Sequence, residues 1–216
     1  MFTYRDYETV SLDGRRIYVI DDNLYPSITT VLSGTRTQET SNALEAWRNR
    51  IGHKKADKVS TDAATRGTNL HLMMERALGG QDPKLDEFPQ EHVNMFKSLR
   101  LETRKINKVF GQEVVLFSHT MQMAGRCDLV GEYNGEIAIV DYKTSTRVKS
   151  EYEIGDYWLQ IAFYATAHNE MFGTDINKMV ILMGVENKLP MVFKKTIDDE
   201  LLLKLSERVC DFYAKL

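Results

Sequence analysis

Two aspartates and a lysine stand where the residues of a hydrophobic strand would be expected. The stretch GRCDLVGEYNGEIAIVDYKTS, residues 125–145, places Asp128 and Asp141 among valine, isoleucine and leucine, and Lys143 follows two positions after the second acid. Carboxylates are rarely buried unless they are paired or bind a metal ion. These residues can therefore form a salt-bridge cluster, a metal site, or both.

An Asn-Gly pair in the middle of the stretch predicts how the two aspartates meet. Asn134-Gly135 is the strongest short signal for a two-residue type I′ hairpin turn. The register of that hairpin places Asp128 directly opposite Asp141, with Lys143 on the same face as Asp141. Carboxylates so placed must share a proton, pair with cations or coordinate a divalent metal ion.

Spacing alone leaves two kinds of site open, a metal site and a salt-bridge cluster that adds Lys143 and Arg126 to the acids. Apolar residues flank the acids on both faces of the predicted strands, which indicates a central strand pair and raises the cost of unpaired acids. We therefore favour a metal site. Oxygen ligands without clustered thiols indicate Mg²⁺, with Mn²⁺ able to substitute, and not zinc.

A metal ion on two carboxylates beside a lysine suits the hydrolysis of a phosphodiester. The cation polarises the phosphoryl oxygen and lowers the pKa of an attacking water. The ammonium group of Lys143 can stabilise the developing negative charge or orient the water. An exposed strand lysine is the commoner explanation of such a residue, and Lys143 gains its interest only from sharing a face with Asp141.

These residues, with two further motifs, resemble the signature of the PD-(D/E)XK nuclease superfamily in its RecB-like exonuclease branch. The resemblance begins with Asp128, followed thirteen residues later by Asp141 in the stretch VDYKTS. The stretch RGTNLH ends in His71, and QIAFY places Gln160 and Tyr164 in a Q-x-x-x-Y spacing. Within the branch, YPSITTVL and RGTNLH look particularly like the mitochondrial genome maintenance exonucleases and their phage relatives.

The resemblance implies a set of site residues. The implied catalytic residues are Asp128, Asp141, Lys143 and His71. The implied metal ligands are Asp128, Asp141 and the backbone carbonyl of Tyr142, with His71 completing or supporting the site. Gln160 and Tyr164 are expected near the DNA. A four-cysteine iron–sulfur cluster, found in several RecB-like relatives, cannot be built from Cys127 and Cys210.

Further candidates each have a plainer alternative. Glu113 heads the predicted strand QEVVLF and is a possible additional metal ligand or an exposed strand-end acid. Ser27 either contacts phosphate or simply caps a helix. Additional nucleic-acid contacts are expected at Arg66, at Thr68 and, by base stacking, at Trp47.

Charge is unevenly distributed along a chain whose formal net charge is −3. The segment from Arg36 to Arg66 carries seven basic and four acidic residues, and such faces can follow a phosphate backbone. No apolar stretch approaches the roughly 18 residues that span a bilayer. No signal or transit peptide is visible, so we expect a cytoplasmic protein, or one of the host-cell cytoplasm if it is phage-encoded.

The order of predicted elements indicates a mixed α/β fold in one domain, residues 1–216. Residues 1–110 should be mostly helical after an N-terminal hairpin around Asp13-Gly14, with helices over about 60–78 and 90–110. Residues 111–216 should form the catalytic sheet. With the resemblance, this predicts a restriction-endonuclease-like αβββαβ core: a mixed central sheet flanked by helices, with an N-terminal helical region.

The function expected from these features is that of a metal-dependent DNA exonuclease. It would hydrolyse phosphodiester bonds at single-stranded or flapped DNA ends during replication, recombination or repair. The alternatives are a structure-specific endonuclease or flap nuclease with the same centre, and a catalytically inactive DNA-binding subunit of a recombination complex. Because no helicase motif is visible, any unwinding would come from a partner such as a helicase or another recombination or replication protein.

Overall fold

The computed structural model describes residues 2–215, which form two β-sheets and the helices that flank them. The strands are β1 (Thr9–Leu12), β2 (Arg15–Ile20), β3 (Asn23–Pro26), β4 (Ile106–Ser118), β5 (Met123–Tyr133), β6 (Glu136–Ser145), β7 (Lys178–Val185) and β8 (Met191–Thr196). The α-helices are α1 (Ile28–Gly34), α2 (Gln38–Ile51), α3 (His53–Leu78), α4 (Gln90–Ser98), α5 (Arg100–Thr103), α6 (Gly155–Phe172) and α7 (Asp199–Tyr213). Short 3₁₀ turns cover Leu85–Glu87 and Glu151–Ile154.

The larger sheet contains β4 to β8 in chain order. Its neighbours are antiparallel except β6 and β7, which run parallel. Parallel neighbours need a long crossover connection, and α6 provides it. The succession of α4, β4, β5, β6, α6 and β7 confirms the expected αβββαβ core.

Two hydrophobic layers hold this sheet between helices. On one face, α6 packs with α1 and α7, and its buried residues include Ile161 and Phe163. On the other face, Leu70 and Met73 of α3 and Phe96 of α4 pack in the same cluster as residues of β6. The strands at the centre therefore have apolar residues on both faces, as the sequence predicts for a central pair.

The hairpin between β5 and β6 forms as predicted. Asn134 and Gly135 both adopt positive φ angles, 52° and 84°, as a type I′ turn requires. Tyr133 pairs with Glu136, and the same register continues to the pair of Leu129 and Val140. The same register, continued by one position beyond this last pair, places Asp128 across from Asp141.

The predicted helix over 90–110 is wrong in its second half. The helical segment ends in the short α5 at Thr103, and β4 begins at Ile106. Ile106 pairs with Tyr133, and Val109 pairs with Gly131. Pairing with β5, which is distant in sequence, decides the conformation of this segment, and the local apolar pattern does not predict that pairing.

The N-terminal region contains more sheet than predicted. The hairpin around Asp13-Gly14 is confirmed, but β3 adds a third strand to it. Helix α3 begins at His53, earlier than predicted, and runs for 26 residues to Leu78. None of the helices within residues 2–215 is long and apolar enough to cross a membrane.

Candidate active site

Three neighbouring strands bring three acids together. Asp128 lies on β5, between β4 and β6. The hairpin places Asp141 across from it on one side, and the pairing on either side of Glu113 places that residue across from it on the other. The side chain of Glu113 is 25% exposed, whereas those of Asp128 and Asp141 are buried.

The backbone of Glu113 is unusual for a strand residue. Its φ angle of 50° lies in the left-handed region, which residues other than glycine seldom adopt, although the ladder keeps the same register on both sides of it. The guanidinium of Arg126 donates a hydrogen bond to the carbonyl of Glu113. A backbone irregularity of this kind re-aims a side chain, and such features are common beside functional sites.

His71 joins the acids from helix α3. Its Nε2 lies 2.8 Å from the carbonyl oxygen of Tyr142. Its Nδ1 lies 3.5 Å from Glu113 Oε1 and 3.5 Å from Asp128 Oδ1. When Nε2 carries the proton donated to the carbonyl, Nδ1 faces the two carboxylates. The possible ligand atoms of His71, Glu113 and Asp128 all lie within 4.8 Å of one another.

The charges in this cluster are strongly coupled. Burial lowers the pKa of His71, but Asp128, Glu113 and the Tyr142 carbonyl together raise it to about 9. Burial, and then Asp141, raise the pKa of Asp128 to about 7, although His71 and Lys143 oppose the shift. A protonated His71 balances the acids, and a metal ion bound there would take the place of its proton.

Asp141 and Lys143 form a second, adjacent pair. Asp141 is 1% exposed, and its Oδ2 lies 2.5 Å from Lys143 Nζ. The other carboxylate oxygen, Oδ1, has no hydrogen-bond partner among the described residues. Burial lowers the pKa of Lys143, but Asp141 and Asp128 more than compensate and raise it. Lys143 is therefore a stable cation.

Helix α6 orients Lys143. Gln160 accepts a hydrogen bond from Lys143 Nζ at 3.2 Å and donates one to Tyr164 Oη at 3.1 Å. Tyr164 is 2% exposed and belongs to the main hydrophobic cluster. In this structure the ring of Tyr164 is enclosed by the core and supports Gln160, so its expected place near DNA stays a prediction.

The expected ligand set is only partly assembled. The structure clusters His71 and Asp128 with Glu113, the candidate whose alternative was an exposed strand-end acid. The Tyr142 carbonyl faces this cluster but accepts the hydrogen bond of His71. Asp141 lies beside it and faces Lys143. The backbone N–H of Tyr142 donates to Asp128 Oδ2 at 2.7 Å, which fixes the orientation of that carboxylate.

The remaining nucleic-acid candidates are scattered. Ser27 is 2% exposed and caps α1, where its Oγ accepts from Thr30 N at 3.1 Å, as the capping alternative expects; its contact with phosphate stays a prediction. Thr68 is exposed on α3. Trp47 is half-buried on α2, a helix without a fully buried residue. Arg66 lines a cleft beside the site.

Two supporting residues make contacts that the sequence did not predict. Tyr157, one turn before Gln160, has its ring centre 5.0 Å from Lys143 Nζ. Arg126 holds the backbone of Glu113. The helical spacing of Tyr157 and Gln160 is a visible signal for the first residue, but the second depends on a backbone irregularity that no motif reveals.

Comparison with protein-family models identifies the fold family. The model of the PD-(D/E)XK nuclease superfamily matches residues 84–196, which is just over half of the chain and includes all three acids and Lys143. The chain belongs to the PD-(D/E)XK nuclease superfamily. Nucleases of this superfamily use divalent metal ions, and the cluster at His71 offers suitable donors. His71 itself lies outside the matched segment.

Curated relatives of this PD-(D/E)XK nuclease confirm the resemblance noted in the sequence. Mitochondrial genome maintenance exonuclease 1 of Xenopus tropicalis is 26% identical over 172 residues, which cover 76% of this chain and 50% of the relative. The Homo sapiens protein of the same name is 27% identical over 157 residues, covering 68% and 44%. The chain thus spans about half the length of the curated relatives it matches.

Solved structures of two exonucleases are also similar to this chain. An alkaline exonuclease from Laribacter hongkongensis is 10% identical, with a TM-score of 0.46 over 88% of this chain and 87% of that one. A putative exonuclease from Eubacterium rectale is 14% identical, with a TM-score of 0.43 over 67% and 63%.

Proposed function

We propose that this chain is a metal-dependent DNA exonuclease that hydrolyses phosphodiester bonds at single-stranded or flapped ends. The observation that carries the proposal is the cluster of His71, Glu113 and Asp128 beside the Asp141–Lys143 pair. Membership of the PD-(D/E)XK superfamily and the exonuclease names of the curated relatives support it. The process served would be replication, recombination or repair.

The donor set fits a hard divalent cation such as Mg²⁺, with Mn²⁺ as a substitute. One histidine nitrogen and two carboxylates lie within 4.8 Å of one another, and Asp141 Oδ1, buried close by, lacks a hydrogen-bond partner among the described residues, whereas Oδ2 is paired with Lys143. A buried carboxylate oxygen without a partner is costly, so a bound cation would relieve it. When bound, such a cation polarises a phosphoryl oxygen and acidifies water.

Lys143 would act as a positive charge and not as a base. Its raised pKa keeps the ammonium protonated, with burial opposed by Asp141 and Asp128. In hydrolysis, water forms a new bond to phosphorus while the bond to the leaving sugar oxygen breaks, and negative charge grows on the phosphoryl oxygens. An ammonium already fixed by Asp141 and Gln160 stabilises that charge without reorganising.

His71 and Gln160 would position the reacting groups. The hydrogen bond from His71 Nε2 to the Tyr142 carbonyl sets the ring so that Nδ1 faces Glu113 and Asp128. Gln160 holds Lys143 from the opposite helix layer. Such supporting contacts hold catalytic groups within narrow geometric limits.

Two substitutions test the nuclease centre. Asp128→Asn and Lys143→Met should each reduce DNA cleavage with Mg²⁺ by about 10²-fold or more, because each removes a charge from the reacting centre. Glu132→Gln, the same kind of change as Asp128→Asn on the same strand, is the matched control and should cleave normally. Unchanged cleavage by both site variants would refute the proposal.

An end-labelled substrate separates exonuclease from endonuclease action. An exonuclease should degrade a linear single strand with Mg²⁺ or Mn²⁺ and leave a circular one of the same sequence intact. Cleavage of the circle, or of a flap at its junction, would favour the endonuclease alternative. Absence of hydrolysis on every nucleic acid tested would favour a DNA-binding subunit that acts with recombination or replication proteins.

A further inference from the structure

A deep cleft opens beside the proposed centre. It has a volume of about 800 Å³ and lies between α3 and α4 on one side and the end of β6 on the other. Tyr157 is part of its wall, and the Tyr157 ring centre is 5.0 Å from Lys143 Nζ. The cleft is therefore separated from the proposed catalytic lysine by the ring of Tyr157 alone at this point of its wall.

Four long cationic side chains line this cleft, and two of them are already neutralised. Lys58 pairs with Asp62 at 2.8 Å, and Arg147 pairs with Glu153. Of the other two, neither Arg66 nor Lys149 has a carboxylate oxygen within 4.0 Å in the described part of the chain. This holds although the acids Glu91 and Glu186 also line the cleft.

Arg66 has a guanidinium nitrogen without a hydrogen-bond acceptor in the described residues. It is half-buried on α3, and its Nε is buried without a hydrogen-bond partner among residues 2–215. A buried guanidinium nitrogen without an acceptor is costly, and an anion in the cleft would supply acceptor oxygens.

Lys149 is held in place by a tyrosine. Its Nζ donates a hydrogen bond to Tyr157 Oη at 2.9 Å, and its backbone N–H lies 3.4 Å from the sulfur of Met191. The ammonium groups of Lys143 and Lys149 each lie 5.0 Å from the centre of the Tyr157 ring, so they are at most about 10 Å apart. Lys143, which is paired with Asp141, and Lys149, which has no carboxylate partner in the described residues, thus both contact one tyrosine.

We propose that this cleft binds the nucleotide next to the scissile phosphate of a single DNA strand. Lys149 and Arg66 bind its phosphate, and Tyr157 positions Lys149 relative to Lys143. The inference rests on the proposed nuclease function and adds a phosphate-binding subsite to it.

The size and chemistry of the cleft specify the kind of substrate. A volume of about 800 Å³ is that of a site for a small ligand, which suits a nucleotide or two of one strand and not a duplex. Contacts to phosphate carry no sequence information, and stacking or cationic grooves tolerate any base. The subsite should therefore bind single strands of any sequence.

Binding measured without cleavage tests the subsite. A labelled single-stranded oligonucleotide is titrated in chelator at several salt concentrations, first with the unmodified chain. Lys149→Met should weaken binding by about 5- to 10-fold and reduce the slope of log K against log salt by about 0.7, because one phosphate contact is lost. Lys149→Arg should restore most of both.

A matched lysine elsewhere controls for charge alone. Lys194 also lies 5.0 Å from the centre of a tyrosine ring, that of Tyr133, and also lacks a carboxylate within 4.0 Å in residues 2–215, but it lines a different, smaller pocket. Lys194→Met should bind as the unmodified chain does. Equal weakening by Lys149→Met and Lys194→Met would overturn the subsite.

The outcomes separate the subsite from the nuclease activity. Unchanged affinity and salt slope in Lys149→Met, while the unmodified chain cleaves DNA, would overturn the subsite and leave the nuclease proposal standing. An unmodified chain that binds single strands through Lys149 but cleaves nothing would overturn the nuclease proposal alone. Circular dichroism of each variant confirms that it is folded.

Discussion

At the scale of single residues, the site holds several charged groups close together, an arrangement that destabilises a protein core. Asp128 and Asp141 are buried opposite each other, and Glu113 approaches from the next strand. Two cations, His71 and Lys143, offset this repulsion only in part, since burial and Asp141 still raise the pKa of Asp128 to about 7. Such strain is typical of sites whose charges serve chemistry.

Removing one of these charges should stabilise the protein while it abolishes cleavage. In chelator at pH 8, Asp128→Asn should raise the free energy of unfolding by about 1 kcal/mol, because like charges directly opposite each other destabilise a sheet. The asparagine oxygen can still accept the hydrogen bond from Tyr142 N. Urea unfolding measures the change, with Glu132→Gln as the control. A less stable Asp128→Asn would show that His71 and Lys143 fully compensate the charge of Asp128 in the folded protein.

At the scale of elements, strand β5 and helix α6 are packed so closely that one glycine is needed between them. A Cβ atom on Gly125 would lie 2.8 Å from Tyr164 Cε1 and 3.0 Å from Ile28 Cγ2. Tyr164 in turn holds Gln160, which holds Lys143. Packing of α6 against the sheet is thereby linked to the orientation of the proposed catalytic lysine.

Gly125→Ala should therefore affect both stability and activity. Overpacking at this contact should cost about 1–3 kcal/mol of the free energy of unfolding. Displacement of Tyr164 should also lower kcat by about 10-fold with little change in KM, because the lysine loses its support but the DNA contacts remain. Urea unfolding and steady-state kinetics measure the two effects. A normal kcat in a destabilised variant would show that packing at Gly125 does not control the position of Lys143.

Gly67 offers the opposite case for comparison. It lies within α3, and a Cβ atom there would meet nothing within 4 Å. Gly67→Ala should raise the free energy of unfolding by roughly 0.5–1 kcal/mol through helix propensity alone. A loss of stability in Gly67→Ala would contradict the open surroundings of this residue.

At the scale of the whole molecule, a buried histidine of α6, His168, ties the N-terminal segment to that helix and to the segment that follows it. Tyr4 Oη lies 3.0 Å from His168 Nε2, and His168 Nδ1 lies 2.8 Å from Thr174 Oγ1. The ring of Phe2 packs edge-on against His168 with centres 4.6 Å apart. Residues far apart in sequence thus meet at one imidazole, which burial keeps neutral by lowering its pKa to about 4.

This histidine should make stability depend on pH in the acidic range. In the unfolded chain His168 has a pKa near 6.5 and binds a proton below that pH. In the folded chain it stays neutral down to about pH 4. Stability should therefore fall as pH decreases from about 6.5 to about 4, by roughly 2–3 kcal/mol from this residue. Urea unfolding across this range measures the slope.

His168→Gln isolates that contribution from the other titrating groups. The variant should be less stable at pH 7, because the imidazole contacts are lost, but its stability should decline less between pH 6.5 and 4. An identical decline in both proteins would assign the pH dependence to carboxylates elsewhere.

The local sequence alone determined the hairpin that carries Asp128, Asp141 and Lys143. Asn134-Gly135 defined a turn, the turn defined a register, and the register placed Asp128 opposite Asp141 with Lys143 beside it. A two-residue turn acts over a short span of chain, so its consequences can be derived without any distant contact. The resemblance of the motifs then indicated a nuclease, and the family comparison confirmed the superfamily.

Only the tertiary structure decided which side chains complete the site. The ladder between β4 and β5 and the left-handed backbone at Glu113 bring that acid to Asp128 and His71, and the core encloses Tyr164 and Ser27. The cleft of Lys149 and Arg66 likewise exists only where α3, α4 and β6 meet. These features depend on contacts between segments distant in sequence, and local residue patterns do not predict such contacts.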